Sequence, residues 1–116
     1  MIFVSDRGPE ATVAQTIEAH GLLIEWARTI RAAVDLLNSP CEKTVIVTEL
    51  ALADGNWRDL VEWVRRVDIS TPILLVTSSS TAELWWDALE FGIEDILPGY
   101  LVVCRLCQLL EARGAP

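Results

Sequence analysis

The side chains best suited to chemistry are acids and hydroxyls, and each stands at the end of a short apolar run. Ser5 and Asp6 end the first run, Glu49 follows the third, and Thr77 and Ser78 end the fourth. Two carboxylates held close together either share a divalent cation or repel each other and raise one pKa. Both alternatives stay open for Asp6 and Glu49, because the elements that carry them decide which side chains meet.

Five apolar runs alternate with helical patterns along the chain. The predicted strands cover residues 1–5, 22–26, 44–48, 72–77 and 93–97, and the closing helix covers residues 100–113. The third run is β-branched throughout, which is typical of a central, buried strand. Five strands, each followed by a helix, predict an α/β fold with a (βα)5 doubly wound, parallel five-stranded sheet.

In an open parallel sheet, ligands collect at the carboxyl ends of the strands. This rule adds Pro98 and Gly99, which follow the fifth strand, to the acids and hydroxyls named above. It also predicts that Asp6 and Glu49 face each other across neighbouring central strands.

Composition limits the class of protein. The 116 residues fit one domain, predicted over residues 1–116, and 52% hydrophobic residues are enough for a core. The formal net charge of −8 disfavours non-specific binding to nucleic acid or to anionic lipid. Residues 1–7 lack the pattern of a secretory signal, and an odd number of cysteines (Cys41, Cys104 and Cys107) suits a reducing compartment. We therefore expect a cytoplasmic protein.

The whole chain resembles the receiver domain of two-component response regulators, a flavodoxin-like fold. That family has an acidic pair after the first strand, a phosphoacceptor Asp after the third, a hydroxyl after the fourth and Lys-Pro after the fifth. In this chain the resemblance puts Ser5 and Asp6 in the two acidic places and Glu49 in the phosphoacceptor place. It gives Thr77 the role of the switch hydroxyl, and residues 88–97 are similar to the run that leads into Lys-Pro.

The departures from the family pattern indicate a degenerate, or pseudo-receiver, member. Glu49 replaces the Asp, Ser5 replaces one acid, Pro98 and Gly99 occupy the region of the Lys, and Ile96 stands where a switch aromatic is common. Phosphoryl transfer needs an in-line nucleophile, Mg²⁺ and a cation, and a misplacement of about 1 Å can cost roughly 10²-fold in rate. We therefore expect no enzyme activity and no cofactor; if Mg²⁺ binds at all, Asp6 and Glu49 are its candidate ligands.

Two interpretations of Glu49 remain open. Its longer side chain either mimics a phosphorylated acceptor and hydrogen-bonds Thr77, or it is a solvated carboxylate at a strand end. Thr77 is likewise either a switch hydroxyl or a strand-end hydroxyl bonded to backbone.

The resemblance implies that partners bind through the fourth helix, fifth strand and fifth helix. The interface residues predicted there are Trp86, Glu90, Ile96, Tyr100 and Leu101, with Val102 adding apolar surface. We expect a partner protein or a homodimer, with no direct nucleic-acid or membrane contact. Trp85 is predicted to pack inside with Leu89, and Trp57 and Trp63 are predicted to pack on a helix face.

Other patterns give little support to other functions. Cys104 and Cys107 have CxxC spacing inside a helix, without further ligands for zinc, and are predicted to be buried thiols. His20 is the only histidine, which leaves no second histidine for a metal site. The alternatives kept are a functional phosphoreceiver with Mg²⁺-dependent phosphorylation and a nucleotide or flavin binder at the strand ends. The chain is expected to be a stand-alone regulator or a piece of a larger protein.

Overall fold

The computed structural model describes residues 1–8, 11–38, 45–67 and 70–112. The sheet strands are β1 (Ile2–Val4), β2 (Glu25–Ala27), β3 (Ile46–Glu49), β4 (Ile73–Val76) and β5 (Asp95–Leu97). The helices are α1 (Ala11–Ala19), α2 (Ile30–Asn38), α3 (Trp57–Val67), α4 (Ala82–Glu90) and α5 (Val102–Ala112), with a 3₁₀ turn over Gly99–Leu101.

All five strands are parallel and lie in the order β2-β1-β3-β4-β5. The predicted doubly wound α/β fold is therefore confirmed. The register pairs Val4 with Thr48, and Glu49 with Val76. Ser5, one residue beyond Val4, is thus level with Glu49 at the carboxyl edge of the sheet.

The sheet separates two apolar cores. One lies beneath α2, α3 and α4 and includes Leu37, Leu60 and Val64. The other lies beneath α1 and α5 and includes Ile17 and Leu106. Strand residues alternate between these cores, because successive side chains of a strand point to opposite faces.

A short antiparallel hairpin, Ala51–Leu52 with Gly55–Asn56, connects β3 to α3. Its turn residue Asp54 accepts hydrogen bonds from the backbone N–H groups of Ile30 (2.8 Å) and Arg31 (3.3 Å). These donors belong to the first turn of α2, where backbone N–H groups have no partner within the helix. The hairpin that precedes α3 therefore also caps a different helix, α2.

β1, β4 and β5 are shorter than predicted, and the boundaries of β2, β3 and α5 differ in position. β2 occupies residues 25–27 instead of 22–26, because pairing with Ile2–Val4 sets its position, whereas the preceding apolar residues only cover the α1–α5 core. Tyr100 lies in the 3₁₀ turn, and α5 begins at Val102. β3 includes Glu49 at its end; Thr44, predicted to begin this strand, lies outside the described residues, as does Cys41.

The packing predicted for the tryptophans is correct only in part. Trp57 is buried, 2% exposed, and contacts Phe91 edge to face, which confirms its prediction. Trp85 and Leu89 are exposed, so the prediction that they pack inside was wrong. Trp63 is 50% exposed, and the Arg66 guanidinium lies 4.7 Å from its ring centroid. α4 buries Ala88 and half-buries Leu84 against the sheet, and this turns its larger side chains toward solvent.

The prediction of two buried thiols was also wrong. Cys104 is exposed and Cys107 half-buried, because Val102, Leu106 and Leu109 form the buried stripe of α5. Within the described residues, no helix is both long enough and apolar enough to cross a bilayer.

Candidate functional site

A cleft of about 1050 Å³ opens at the carboxyl edge of the sheet. The ends of β3, β4 and β5, the β1–α1 loop, and the facing sides of α1 and α5 form its walls. The lining residues include Arg7, Gly8, Glu49, Thr77, Ser78, Pro98 and Gly99. The structure thus brings together five of the seven residues predicted for the degenerate site, Glu49, Thr77, Ser78, Pro98 and Gly99.

Hydrogen bonds within the loop and from β2 fix the start of the β1–α1 loop. The Ser5 side chain is fully buried, and its Oγ accepts a hydrogen bond from the Gly8 N–H at 2.8 Å. The indole N–H of Trp26 donates to the Ser5 carbonyl oxygen at 2.9 Å. Gly8 has φ +77°, and a Cβ there would lie 3.0 Å from the Trp26 ring, so the contact requires glycine. This packing presents Arg7 at the mouth of the cleft.

Asp6 and Glu49, predicted to face each other, differ in their surroundings. Ser5 is level with Glu49, whereas Asp6 is exposed and does not belong to the described cleft lining. Glu49 is half-buried in the cleft. None of the described residues hydrogen-bonds or ion-pairs with its carboxylate.

The Thr77 hydroxyl is bonded locally. Its Oγ1 accepts a hydrogen bond from the Ser79 N–H at 3.1 Å, in the turn that leads to α4. This geometry agrees with the interpretation of Thr77 as a strand-end hydroxyl that is bonded to backbone. Thr77 and Glu49 nevertheless line the same cleft.

The predicted lysine region lies where the chain leaves β5. β5 ends at Leu97, which is buried in the α1–α5 core, and Pro98 and Gly99 follow it and line the cleft. Neither Pro98 nor Gly99 has a side chain that could carry a charge into the cleft.

The donor set does not fit a Mg²⁺ ion of the kind that the receiver family implies. An octahedral Mg²⁺ site is built on carboxylates, and one of the family's acidic places holds Ser5, whose hydroxyl is committed to Gly8. Asp6 lies outside the cleft lining, which leaves Glu49 as the only carboxylate among the described lining residues. Nowhere in the described ranges do three His, Cys, Asp or Glu side chains cluster as a metal site would require.

Large apolar side chains are exposed on α4 and on the 3₁₀ turn that leads into α5. We call this set the α4–α5 face; it consists of Trp85, Trp86, Leu89, Tyr100 and Leu101. Trp86 is 70% exposed and Tyr100 is 80% exposed. Glu90, predicted with them, is exposed at the end of α4.

Two residues predicted for this surface do not contribute to it. Ile96 points into the core beneath α4, and Val102 is buried beneath α5. Beside the face, the Arg105 Nε donates to Asp95 Oδ2 at 3.0 Å, and its guanidinium lies 3.7 Å from Glu94 Oε1. This ion pair fixes α5 against β5.

Comparison with solved structures gives consistent matches. The HemR receiver domain from Leptospira biflexa, in its non-phosphorylated form, is 28% identical with a TM-score of 0.74, covering 96% of this chain and 90% of that one. A two-component response regulator from Clostridium difficile is 20% identical with a TM-score of 0.84, covering 98% and 97%. The beryllofluoride-activated NtrC4 receiver domain dimer is 16% identical with a TM-score of 0.73, covering 90% and 93%.

No protein-family model and no curated protein matches the sequence. The structural matches are nevertheless uniform, and each covers nine-tenths or more of this chain. The chain has the fold of response regulator receiver domains, and its similarity to these structures supports that family.

Proposed function

We propose that this chain is a receiver-like signalling module that acts through phosphorylation-independent protein–protein interaction. The α4–α5 face carries the proposal. Trp86, Leu89 and Tyr100 expose most of their apolar surface, and aromatic side chains of this kind are enriched at interface hot spots. The partner is another protein or a second copy of the chain.

The charge around this face indicates what the partner surface offers. Glu83 and Glu90 are both exposed on α4, within four residues of Trp86. Acidic side chains at the rim of an apolar contact select a complementary basic rim. We therefore expect the partner to present an apolar pocket bordered by Lys or Arg.

Independence from phosphorylation is supported by the chemistry of the strand ends. Glu49 carries its carboxylate one methylene further from the backbone than Asp would. Pro98 and Gly99 contribute no charge in the region where the family has a cation. Glu49, the one carboxylate among the described lining residues, does not complete a Mg²⁺ shell by itself. The nucleophile, the metal ligands and the cation each differ from the family pattern, and phosphoryl transfer depends on all three.

The interaction is tested by placing a photo-crosslinking amino acid at position 86 in cells. Position 63 is the matched control, because Trp63 is also exposed but lies on α3. We expect a protein adduct at position 86 that Tyr100→Ala weakens, and no such adduct at position 63. Sedimentation velocity over a range of concentrations identifies a second copy as the partner. Equal adducts at both positions, together with a monomer throughout, would contradict the proposal.

Phosphorylation is tested separately by incubation with Mg²⁺ and acetyl phosphate, followed by intact-mass measurement. We expect no phosphoryl adduct, while a receiver domain with a complete acidic site gains one under the same conditions. A Mg²⁺-dependent adduct mapped to Glu49 would instead establish a functional phosphoreceiver. The Glu49→Gln variant provides the control for site assignment.

A further inference from the structure

Two opposite charges line the strand-end cleft, and neither has a partner among the residues that the structure describes. Arg7 is the one cation and Glu49 the one anion among the described lining residues. No described residue ion-pairs with either side chain, and the two are not within ion-pair distance of each other. Glu49 is half-buried and Arg7 is exposed, so a ligand cation would offset the partial desolvation of Glu49, and a ligand anion would gain a charge-assisted hydrogen bond from Arg7. The cleft therefore offers one place for an anionic group and another for a cationic group.

The remaining lining suits an apolar body with polar ends. Phe3, Val76, Val102 and Val103 give the cleft an apolar wall between the strand ends and α5. Thr77 and Ser78 place hydroxyls beside it. Ligand sites in proteins combine an apolar lining with a few polar groups that fix orientation, and this cleft has both.

We propose that the cleft binds a small zwitterion with an apolar side chain, an α-amino acid or a dipeptide. Its carboxylate pairs with the Arg7 guanidinium, its ammonium pairs with the Glu49 carboxylate, and its side chain lies against Phe3 and Val76. Tyr100 borders both this cleft and the α4–α5 face, but the proposal rests on Arg7, Glu49 and the apolar wall, so it does not depend on the proposed interaction function.

The same features disfavour the nucleotide or flavin phosphate considered from the sequence. The Gly8 N–H already donates to Ser5 Oγ, and Pro9 has no N–H to offer a phosphate. A phosphate would also bring negative charge close to Glu49. A zwitterion compensates both charges of the cleft at once.

The test is a titration of the ¹⁵N-labelled chain followed by amide NMR. The probes are L-leucine and L-leucyl-L-leucine, with N-acetyl-L-leucine and L-leucinamide as analogues that lack one charge. We expect shifts at Gly8, Thr77 and Gly99 with the zwitterions, and at least about tenfold weaker binding of either blocked analogue. Comparison of the affinities for leucine and for the dipeptide shows which ligand length matches the separation between the Arg7 and Glu49 charges.

Two variants assign each charge to its residue. Arg7→Gln is expected to weaken zwitterion binding about tenfold and to abolish the preference for leucine over leucinamide. Glu49→Gln is expected to abolish the preference for leucine over N-acetyl-leucine. Arg31→Gln, at an exposed site on α2, is the matched control.

Three results would overturn the proposal. They are an absence of shifts with both zwitterions, equal binding of the blocked analogues, and shifts confined to the α4–α5 face. Circular dichroism of each variant verifies that a loss of binding is not a loss of fold.

Discussion

Gly55 shows how strongly a single position constrains the connection between β3 and α3. A Cβ there would lie 2.6 Å from Asp59 Oδ2 and 2.9 Å from Ile30 Cδ1. Asp59 is itself engaged, because its Oδ2 accepts a hydrogen bond from the Asn56 N–H at 3.1 Å. Both atoms are side-chain ends that must move aside for an added methyl group, and moving Asp59 would give up its hydrogen bond to Asn56.

We therefore expect Gly55→Ala to lower the free energy of unfolding by about 1–3 kcal/mol, as overpacking typically does. Urea unfolding followed by circular dichroism measures the change. Gly99→Ala is the control, because its Cβ would meet only Val76 Cγ1 at 3.9 Å, an ordinary contact. Equal stability of the two variants would show that the hairpin adapts to the added methyl group.

At the residue scale, the strand-end rule predicted most of the site. It selected Glu49, Thr77 and Ser78 without any knowledge of contacts, because parallel strands end at one edge. It did not distinguish Asp6, which is exposed and outside the described cleft lining, from Glu49, because sheet register does not extend into the loop after Ser5. It also did not single out Arg7, which reaches the cleft only because Trp26 holds the loop.

Among the elements, α2 depends on a residue that is distant in sequence. Asp54 accepts two hydrogen bonds from its first turn, and Thr29 Oγ1 accepts a third from the Ala32 N–H. Asp54→Ala should lower the free energy of unfolding by about 1–2 kcal/mol, the usual loss for a removed cap. Asp54→Asn should retain most of the stability, because its side-chain oxygen still accepts.

Chemical denaturation of these two variants checks the cap. Asp35→Ala, an exposed acid on the same helix, is the comparison and should change stability by less than about 0.5 kcal/mol. If Asp54→Ala is as stable as Asp35→Ala, water replaces the carboxylate without loss.

The contrast between the buried Trp57 on α3 and the exposed Trp86 on α4 gives a second prediction at the scale of elements. Trp57→Ala should destabilise the chain by about 3–5 kcal/mol because its ring is buried, whereas Trp86→Ala should cost less than about 0.5 kcal/mol. Thermal unfolding of both variants measures the contrast. A large loss for Trp86→Ala would mean that its ring supports the fold and does not serve a partner.

The 3.6-residue period predicted that the helices exist, but it did not reliably predict which face of each helix is buried. Apolar residues surround much of α4, so the sequence did not reveal that Ala88 and not Trp85 faces the sheet. α5 presents the same difficulty, because Cys104 and Cys107 flank a stripe that Val102, Leu106 and Leu109 already complete. The choice of buried face depends on how closely a helix approaches the sheet, and small residues permit the closest approach.

At the scale of the whole molecule, the solvent exposure of the tryptophans can be measured directly by fluorescence. Trp57 is buried, while Trp26, Trp63, Trp85 and Trp86 are each at least 40% exposed. We expect acrylamide to quench most of the intrinsic fluorescence. Trp57→Phe should leave nearly all of the remaining emission quenchable. Strong residual emission in that variant would indicate that other indoles are covered, as in a dimer formed through the α4–α5 face.

The indole of Trp26 lies against Gly8, is anchored to the Ser5 carbonyl, and has the Arg28 guanidinium 4.8 Å from its ring centroid. An edge strand thus places a fluorophore next to the segment that carries Arg7. Any molecule that moves this segment changes the polarity around the indole, and so the wavelength at which it emits. The chain would then report occupancy of its own cleft optically, without a label, and Trp26→Phe would silence the signal.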